Sequence, residues 1–415
     1  MPTKKWEYKM QLQRYSALAV HNAHGNRARP YSDTERHVLS QDGFRIAKAE
    51  ISAWPGYRPT PLITLAGLAG RLGVGAVLYK DEGQRLGLKS FKAIGGAYAV
   101  LTVLKDHLAD KHGIKDAAVA DLVAGKYRDQ VADVTVAAAT DGNHGRSVAW
   151  GAQLFGANCV IYLHSHVSPT REREIARFGA RIVRVKGHYD DSVRDCAVDA
   201  AKNGWVLVAD TSSDPKARVP SLIMQGYSLI ADEVLKQTET TGRPTHVFVQ
   251  AGVGGLAAAF GAHYWDLFGA DRPRLIVVEP IQADCVFRSI AAGKPTMVPG
   301  DTNTVMACLA AGQVSAPAWV VMQHAVDDVL ALPEDAAPDA MRILATGIDG
   351  DPAIVAGESG CAATAGLIAA ALDPKLKAAL GLDAKSRVLV IGSEGATDED
   401  AYLRIVGRTS DAVAA

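Results

Sequence analysis

Short apolar runs alternate with longer stretches of helical period over most of the chain. The runs are AVLYK (76–80), VTVAAAT (134–140), NCVIYLH (158–164), ARIVRVKG (180–187), WVLVAD (205–210), VFVQ (247–250), RLIVVEP (274–280) and VLVIG (388–392). Between them, HGRSVAWGAQLFG, SPTREREIARFG, DSVRDCAVDAAKNG and PSLIMQGYSLIADEVLKQ carry helical patterns. That alternation predicts βαβ units and mostly parallel sheets, with right-handed crossovers placing helices on both faces. Ser168 before Pro169 is an N-cap and first-turn pair, and Gly179 is placed to end the same helix. TSSDPKARVPS (211–221), with two prolines among small polar residues, reads as a crossing between domains. The expected organisation is a small α/β domain over 88–217 inserted into a larger one made of 1–87 and 218–415. The stretch between RLIVVEP and VLVIG reads as an Ala-rich helical section. Residues 1 to about 50, polar and rich in His and Arg, read as a wrap over the surface or over a partner.

Bulk composition narrows the function. A chain of 415 residues with 48% hydrophobic content has material for about two domains and a sizeable core. Lys plus Arg (44) balances Asp plus Glu (45), so no net field favours nucleic acid or a membrane surface, and the expected partner is a small molecule. MPTKKWEYKM lacks the apolar core of a signal peptide, and GCAATAGLIAAAL is too short to span a bilayer. Five scattered cysteines without CxxC spacing argue against a disulfide framework or a zinc site and fit a reducing cytoplasm. His21 and His24 form an isolated HxxH that reads as a surface pair, so no catalytic metal is expected. A monovalent cation held by carbonyls would leave no side-chain signature.

Ligands in open α/β sheets sit beyond the carboxyl ends of strands, and four such loops carry candidate chemistry. In YKDEGQRLGLKSFKAIGGAYAV (79–100), Lys92 falls in the first turn of a predicted helix with Ser90 as N-cap. The helix dipole there is expected to lower its pKa, as a nucleophilic lysine requires; the alternative is an ordinary exposed lysine, as expected for Lys80 and Lys89. Thr140, Asp141, Gly142, Asn143, His144 and Gly145 (TDGNHG) follow a strand and open a helix, which makes either an anion cradle or a plain turn. Asp210 ends WVLVAD and either faces the cleft or caps a turn. QAGVGGL (250–256) sets Gly252, Val253, Gly254 and Gly255 where backbone amides can close on a phosphate. With Glu279 ending RLIVVEP, the same unit loosely mimics a dinucleotide site, but Ala258 leaves GxGxxG incomplete. Ser393, after VLVIG, places a hydroxyl at the last strand end or belongs to an ordinary Ser-Glu-Gly turn.

RPTPL (58–62), KDEG (80–83) and SFKAIGGA (90–97), in that order, resemble the fold type II pyridoxal phosphate enzymes. Within that family KDEGQRLGLKSFKAIGG is most similar to the diaminopropionate ammonia-lyases. The resemblance implies a two-domain, tryptophan synthase β-like α/β fold, a homodimer and pyridoxal 5′-phosphate held as a Schiff base on Lys92. It further implies Asn143 against the cofactor's phenolic oxygen, and the substrate carboxylate on residues 140–144. The phosphate would lie on residues 252–255 and Ser393 would face the pyridine nitrogen, a neutral partner that favours elimination over transamination. GESG (357–360) matches a family motif and places Glu358 near the cofactor. Two positions depart from the pattern: Asp141 stands where the deaminases carry a small neutral residue, and Ser393 where a threonine is expected. By the same resemblance Asp210 serves the leaving amine, and Lys92 or Asp141 takes the α-proton according to the enantiomer. The implied reaction is α,β-elimination of 2,3-diaminopropionate, a small amino acid, to pyruvate and ammonia. The rival readings are a dehydratase of serine, threonine or 3-hydroxyaspartate, a nicotinamide-dependent oxidoreductase, and a binding protein without cofactor.

Overall fold

The computed structural model describes residues 12–140 and 142–415. Its eleven described strands are β1 (Leu18–His21), β2 (Leu62–Thr64), β3 (Ala76–Asp81), β4 (Thr135–Ala139), β5 (Asn158–His164), β6 (Arg181–Val185), β7 (Val206–Leu207), β8 (His246–Gln250), β9 (Arg274–Pro280), β10 (Asp328–Leu332) and β11 (Arg387–Gly392). They form a seven-stranded sheet in the order β1-β10-β9-β8-β11-β3-β2 and a four-stranded sheet in the order β6-β5-β4-β7. The smaller sheet is parallel throughout, and in the larger only the edge strands β1 and β2 run antiparallel to their neighbours. The α/β class and the parallel pairing therefore follow the pattern of apolar runs.

The structure corrects that reading in three places. β10 lies inside the stretch taken as Ala-rich helix; DVLAL is completely buried between β9 and β1, so pairing on both sides overrides its weak local preference. β1 belongs to the N-terminal region taken as a surface wrap, and it supplies the edge of the larger sheet. β7 keeps only two residues of WVLVAD. The Val208 N–H still reaches Ala137 O at 2.8 Å, but the Val208 carbonyl accepts the His144 side chain at 2.7 Å, which turns the chain toward Asp210. Ser168 caps the Pro169–Ala176 helix as expected, its Oγ accepting the Arg171 amide; the helix stops at Ala176 and Gly179 turns two residues beyond its cap at φ +80°.

Three helices meet where AIGGA leaves no bulk between them. A Cβ on Gly95 would stand 2.7 Å from Cζ of Tyr227, in the Arg218–Gln237 helix, and one on Gly96 would stand 2.6 Å from the Ser147 hydroxyl, in the Asn143–Phe155 helix. This close approach brings the first turns carrying Lys92 and Asn143 together.

Lys80 is not exposed. It is fully buried, with Nζ at 2.6 Å from Glu233, 2.8 Å from Thr60 O and 2.9 Å from Gln237 Oε1. Arg85, also fully buried, grips Glu233 at 2.8 and 2.9 Å and Glu82 twice at 2.8 Å, while the Tyr57 and Thr60 hydroxyls close the cluster. Burial lowers the Lys80 pKa; Glu233, which burial alone would raise, is instead held low by Arg85 and Lys80. Charges buried this deeply survive only when paired and hydrogen-bonded. The cluster fastens the Glu82–Gly87 turn, beyond which Lys89 takes φ +55°, and so fixes the approach to Lys92. Glu233→Ala strands the buried Lys80 ammonium and strips Arg85 of one of its two carboxylates, and is expected to cost about 3–5 kcal/mol, read as a lower urea midpoint. Lys89 itself is half exposed, as expected.

Candidate active site

The loop 89–91 runs antiparallel to 393–395: Phe91 N–H donates to Ser393 O at 3.0 Å and Gly395 N–H to Lys89 O at 2.9 Å. The helix begins at Lys92 with Phe91, not Ser90, in the N-cap position; Ser90 Oγ nonetheless accepts the Lys92 amide at 3.3 Å. Lys92 Nζ donates to Asp210 Oδ2 at 2.8 Å. Burial pulls the Lys92 pKa down, but the Asp210 charge outweighs it and the pKa is raised, opposite to the shift expected from the helix dipole. Asp210, which burial alone would raise, is held far below the carboxylate range by the Lys92 ammonium. The geometry thus sets a lysine ammonium against an aspartate.

His144 is buried behind this pair. Its Nε2 donates to Val208 O, which leaves Nδ1 as the bare nitrogen, 4.0 Å from Asp210 Oδ2 and with no hydrogen-bond partner among the described residues. Burial lowers its pKa, so the ring is neutral. Thr140 Oγ1 accepts the Gly142 and Gly145 amides at 3.0 and 3.1 Å and shapes the turn. Gly142 lies at φ +153°, and a Cβ there would stand 3.2 Å from Arg171 Cδ. Asp141 lies outside the described residues.

Asn143 is fixed at both ends of its amide. Oδ1 accepts from Arg146 at 2.8 Å, while Nδ2 donates to Glu394 and lies 3.4 Å from Cys308 Sγ. Glu394 also receives the Thr397 hydroxyl at 3.1 Å and the Ser359 amide at 3.2 Å. Glu358 meets Arg171 at 2.6 Å; burial, then the nearby Glu394, pushes its pKa up to about 7. Ser393 Oγ accepts Gln250 Nε2 at 2.6 Å, and the same Nε2 reaches the Ser359 and Gly360 carbonyls. Among the described residues the Ser393 hydroxyl has no acceptor for its own proton.

Beyond β8 the chain turns through Ala251–Gly254 into the Gly255–Phe268 helix. Gly254 takes φ +93° and a Cβ on it would meet the Met322 sulfur at 2.5 Å, so glycine is required twice over. Among the described residues, the amides of Gly252, Val253, Gly254 and Gly255 find no protein acceptor. Cys308 O would lie 3.2 Å from a Cβ on Gly252, which ties this turn to Asn143 through Cys308. Glu279 does not serve a nucleotide ribose: fully buried, it caps the Cys285–Ala292 helix through the Val286 and Phe287 amides at 2.9 and 2.8 Å.

Lys92, Asn143, His144, Asp210, the glycine turn and Ser393 therefore belong to one site, as the strand-end argument requires. Sequence reasoning missed Tyr227, Arg171, Glu394 and Cys308. Glu394 stood in a motif already singled out, whereas Tyr227 sits inside an amphipathic helix and offered no local signal.

A glycine turn with unpaired amides, a lysine at a helix start and a neutral hydroxyl gathered in one site suit a phosphorylated aldehyde cofactor. Residues 53–394 match the family described as pyridoxal-phosphate dependent enzyme, and the chain belongs to that family. It is 37% identical over 383 residues, 91% of this chain and 94% of the other, to a diaminopropionate ammonia-lyase of Escherichia coli (strain K12). The diaminopropionate ammonia-lyase of Salmonella typhimurium is also 37% identical, with 85% and 89% covered. The crystal structure of the Escherichia coli diaminopropionate ammonia lyase in complex with D-serine superposes with a TM-score of 0.86 at 33% identity, covering 97% of this chain and 100% of that one. The fold is the type II pyridoxal phosphate fold and the cofactor is pyridoxal 5′-phosphate, which closes the nicotinamide reading. The residues present fit such a group: a glycine turn whose amides find no acceptor among the described residues, a lysine at a helix start and a buried serine hydroxyl lie in one site.

Proposed function

We propose that the chain eliminates ammonia from 2,3-diaminopropionate, giving pyruvate and a second ammonia after hydrolysis. The observation that carries this reading is the Lys92–Asp210 pair. Among the described residues the close counter-charge of Asp210 is the Lys92 ammonium, and a substrate bringing its own β-ammonium supplies a replacement when the lysine is committed to the cofactor. Serine and threonine offer only a neutral hydroxyl there, and 3-hydroxyaspartate adds a negative charge. The names of the 37% identical relatives support the same substrate.

The bound cofactor supplies an electron sink for the pair left by the α-proton. Lys92 is assigned as cofactor attachment point and as base on one face, and Asp141 as base on the other. Asp210 would hold the β-ammonium, which leaves as neutral ammonia when the C–N bond breaks. Asn143, whose amide is held by Arg146 and Glu394, would lie against the phenolic oxygen in exchange for its contact with Cys308; residues 140–144 would take the carboxylate, and Ser393 would donate to the ring nitrogen without forcing its protonation. The readings of residues 88–217 as an inserted domain, of the enzyme as a homodimer and of its place as the cytoplasm belong to the same proposal. Light scattering at micromolar concentration is expected to give twice the chain mass; a monomer would count against the dimer.

The test is release of pyruvate and ammonia from D- and L-diaminopropionate. Both enantiomers are expected to react, and Asp141→Asn is expected to cut turnover of the D-isomer by about 10²–10⁴-fold while sparing the L-isomer, because the amide cannot take a proton. Equal loss with both isomers would remove Asp141 from the role of base.

A further inference from the structure

We infer that the Tyr227 hydroxyl is a ligand of the cofactor phosphate, contributed by the Arg218–Gln237 helix and completing the cradle made by the backbone of residues 252–255. This rests on the pyridoxal phosphate site described above. Tyr227 is only 3% exposed, yet its hydroxyl has no hydrogen-bond partner among the described residues. A polar group desolvated and unpaired costs about 1–3 kcal/mol, so a phenol kept in that state points to a partner that arrives with a ligand.

Its surroundings say which ligand. The ring is wedged between two helix starts: its Cζ lies 2.7 Å from where a Cβ on Gly95 would stand, one turn beyond Lys92, and its Cε2 lies 3.7 Å from where a Cβ on Gly255 would stand. Phe91 fixes it from the side, the ring centroids 4.7 Å apart at 61°. The hydroxyl thus stands between the Lys92 turn and the turn whose amides find no acceptor. Burial raises the Tyr227 pKa, so the group is a neutral phenol with a proton to give. The free amides of 252–255, the positive start of a 14-residue helix and the phenol are all donors. Convergent donors without an acceptor call for an anion with several oxygens, and the phosphate is the part of this cofactor that answers.

The experiment compares rebinding of pyridoxal phosphate and of pyridoxal, which lacks the phosphate, to resolved wild type and Tyr227→Phe, followed by the visible absorption of the reconstituted enzyme. The variant removes one oxygen and keeps the ring. A hydrogen bond to a charged group predicts that Tyr227→Phe binds pyridoxal phosphate on the order of ten- to a hundredfold more weakly, with pyridoxal binding unchanged. An equal loss for both compounds would place the hydroxyl at Lys92 or the aldehyde end and overturn the assignment. No loss for either, or a variant that binds neither, would overturn it as well. Wild type that binds neither compound would instead sink the cofactor site, a failure separate from that of Tyr227.

Discussion

Lys92→Ala is expected to abolish turnover, by at least about a thousandfold, while the protein remains folded, because the substitution removes both the nucleophile for the cofactor and the base for the α-proton. The purified wild type is expected to absorb in the visible region and to lose that band on borohydride treatment with label fixed at Lys92; the alanine variant should show no fixed label. Lys92→Arg separates chemistry from electrostatics. An arginine keeps a cation opposite Asp210, whose pKa is held down mainly by the Lys92 charge once its own burial is overcome. A carboxylate depressed in the fold lends stability above its unfolded pKa and loses it as pH falls through the folded one. The alanine variant should therefore lose stability at neutral pH, the arginine variant should recover much of it, and neither should turn over substrate. An active arginine variant would contradict the role of Lys92.

Asp210→Asn is expected to lower turnover by about 10²–10⁴-fold without weakening capture of the cofactor. Asparagine is nearly isosteric but cannot face an ammonium with a full charge. In the wild type the Asp210 charge keeps the Lys92 pKa up against burial. Removing it leaves burial dominant, the lysine pKa falls, and the neutral amine that attacks an aldehyde becomes available at lower pH. Reconstitution with pyridoxal phosphate should thus proceed at lower pH in the variant, opposite in direction to the effect on turnover. A variant impaired equally in cofactor capture and in turnover would mean that Asp210 only shapes the pocket.

Much of this site was legible because parallel sheets gather strand ends. VAAAT, VFVQ and VLVIG announced themselves by apolar runs, and the residues just after them, Asn143, the 252–255 turn and Ser393, fell on one side. What stayed hidden was decided by partners far along the chain. Lys80 reads as a charged residue at a strand end, and only Glu233, brought in from 153 positions away, explains its burial. The shift of Lys92 could not be foreseen from its place on a helix, because a carboxylate 118 positions away sets it. β10 was hidden among alanine-rich neighbours, and DVLAL fits helix and strand alike until strands on both sides decide. Tyr227 is silent for a related reason: in a helix of apolar period its ring counts as core, and only the packing against Gly95 turns its hydroxyl toward the site.

The claim that Asp210 accepts a β-ammonium is tested most directly by the ratio of kcat/KM for 2,3-diaminopropionate to that for serine, measured with the wild-type enzyme in one buffer. A charge-assisted contact worth about 1.5–3 kcal/mol predicts a preference for the diamine on the order of ten- to a hundredfold. Serine turned over as well as the diamine, or better, would contradict the account and leave a dehydratase built on the same cofactor site.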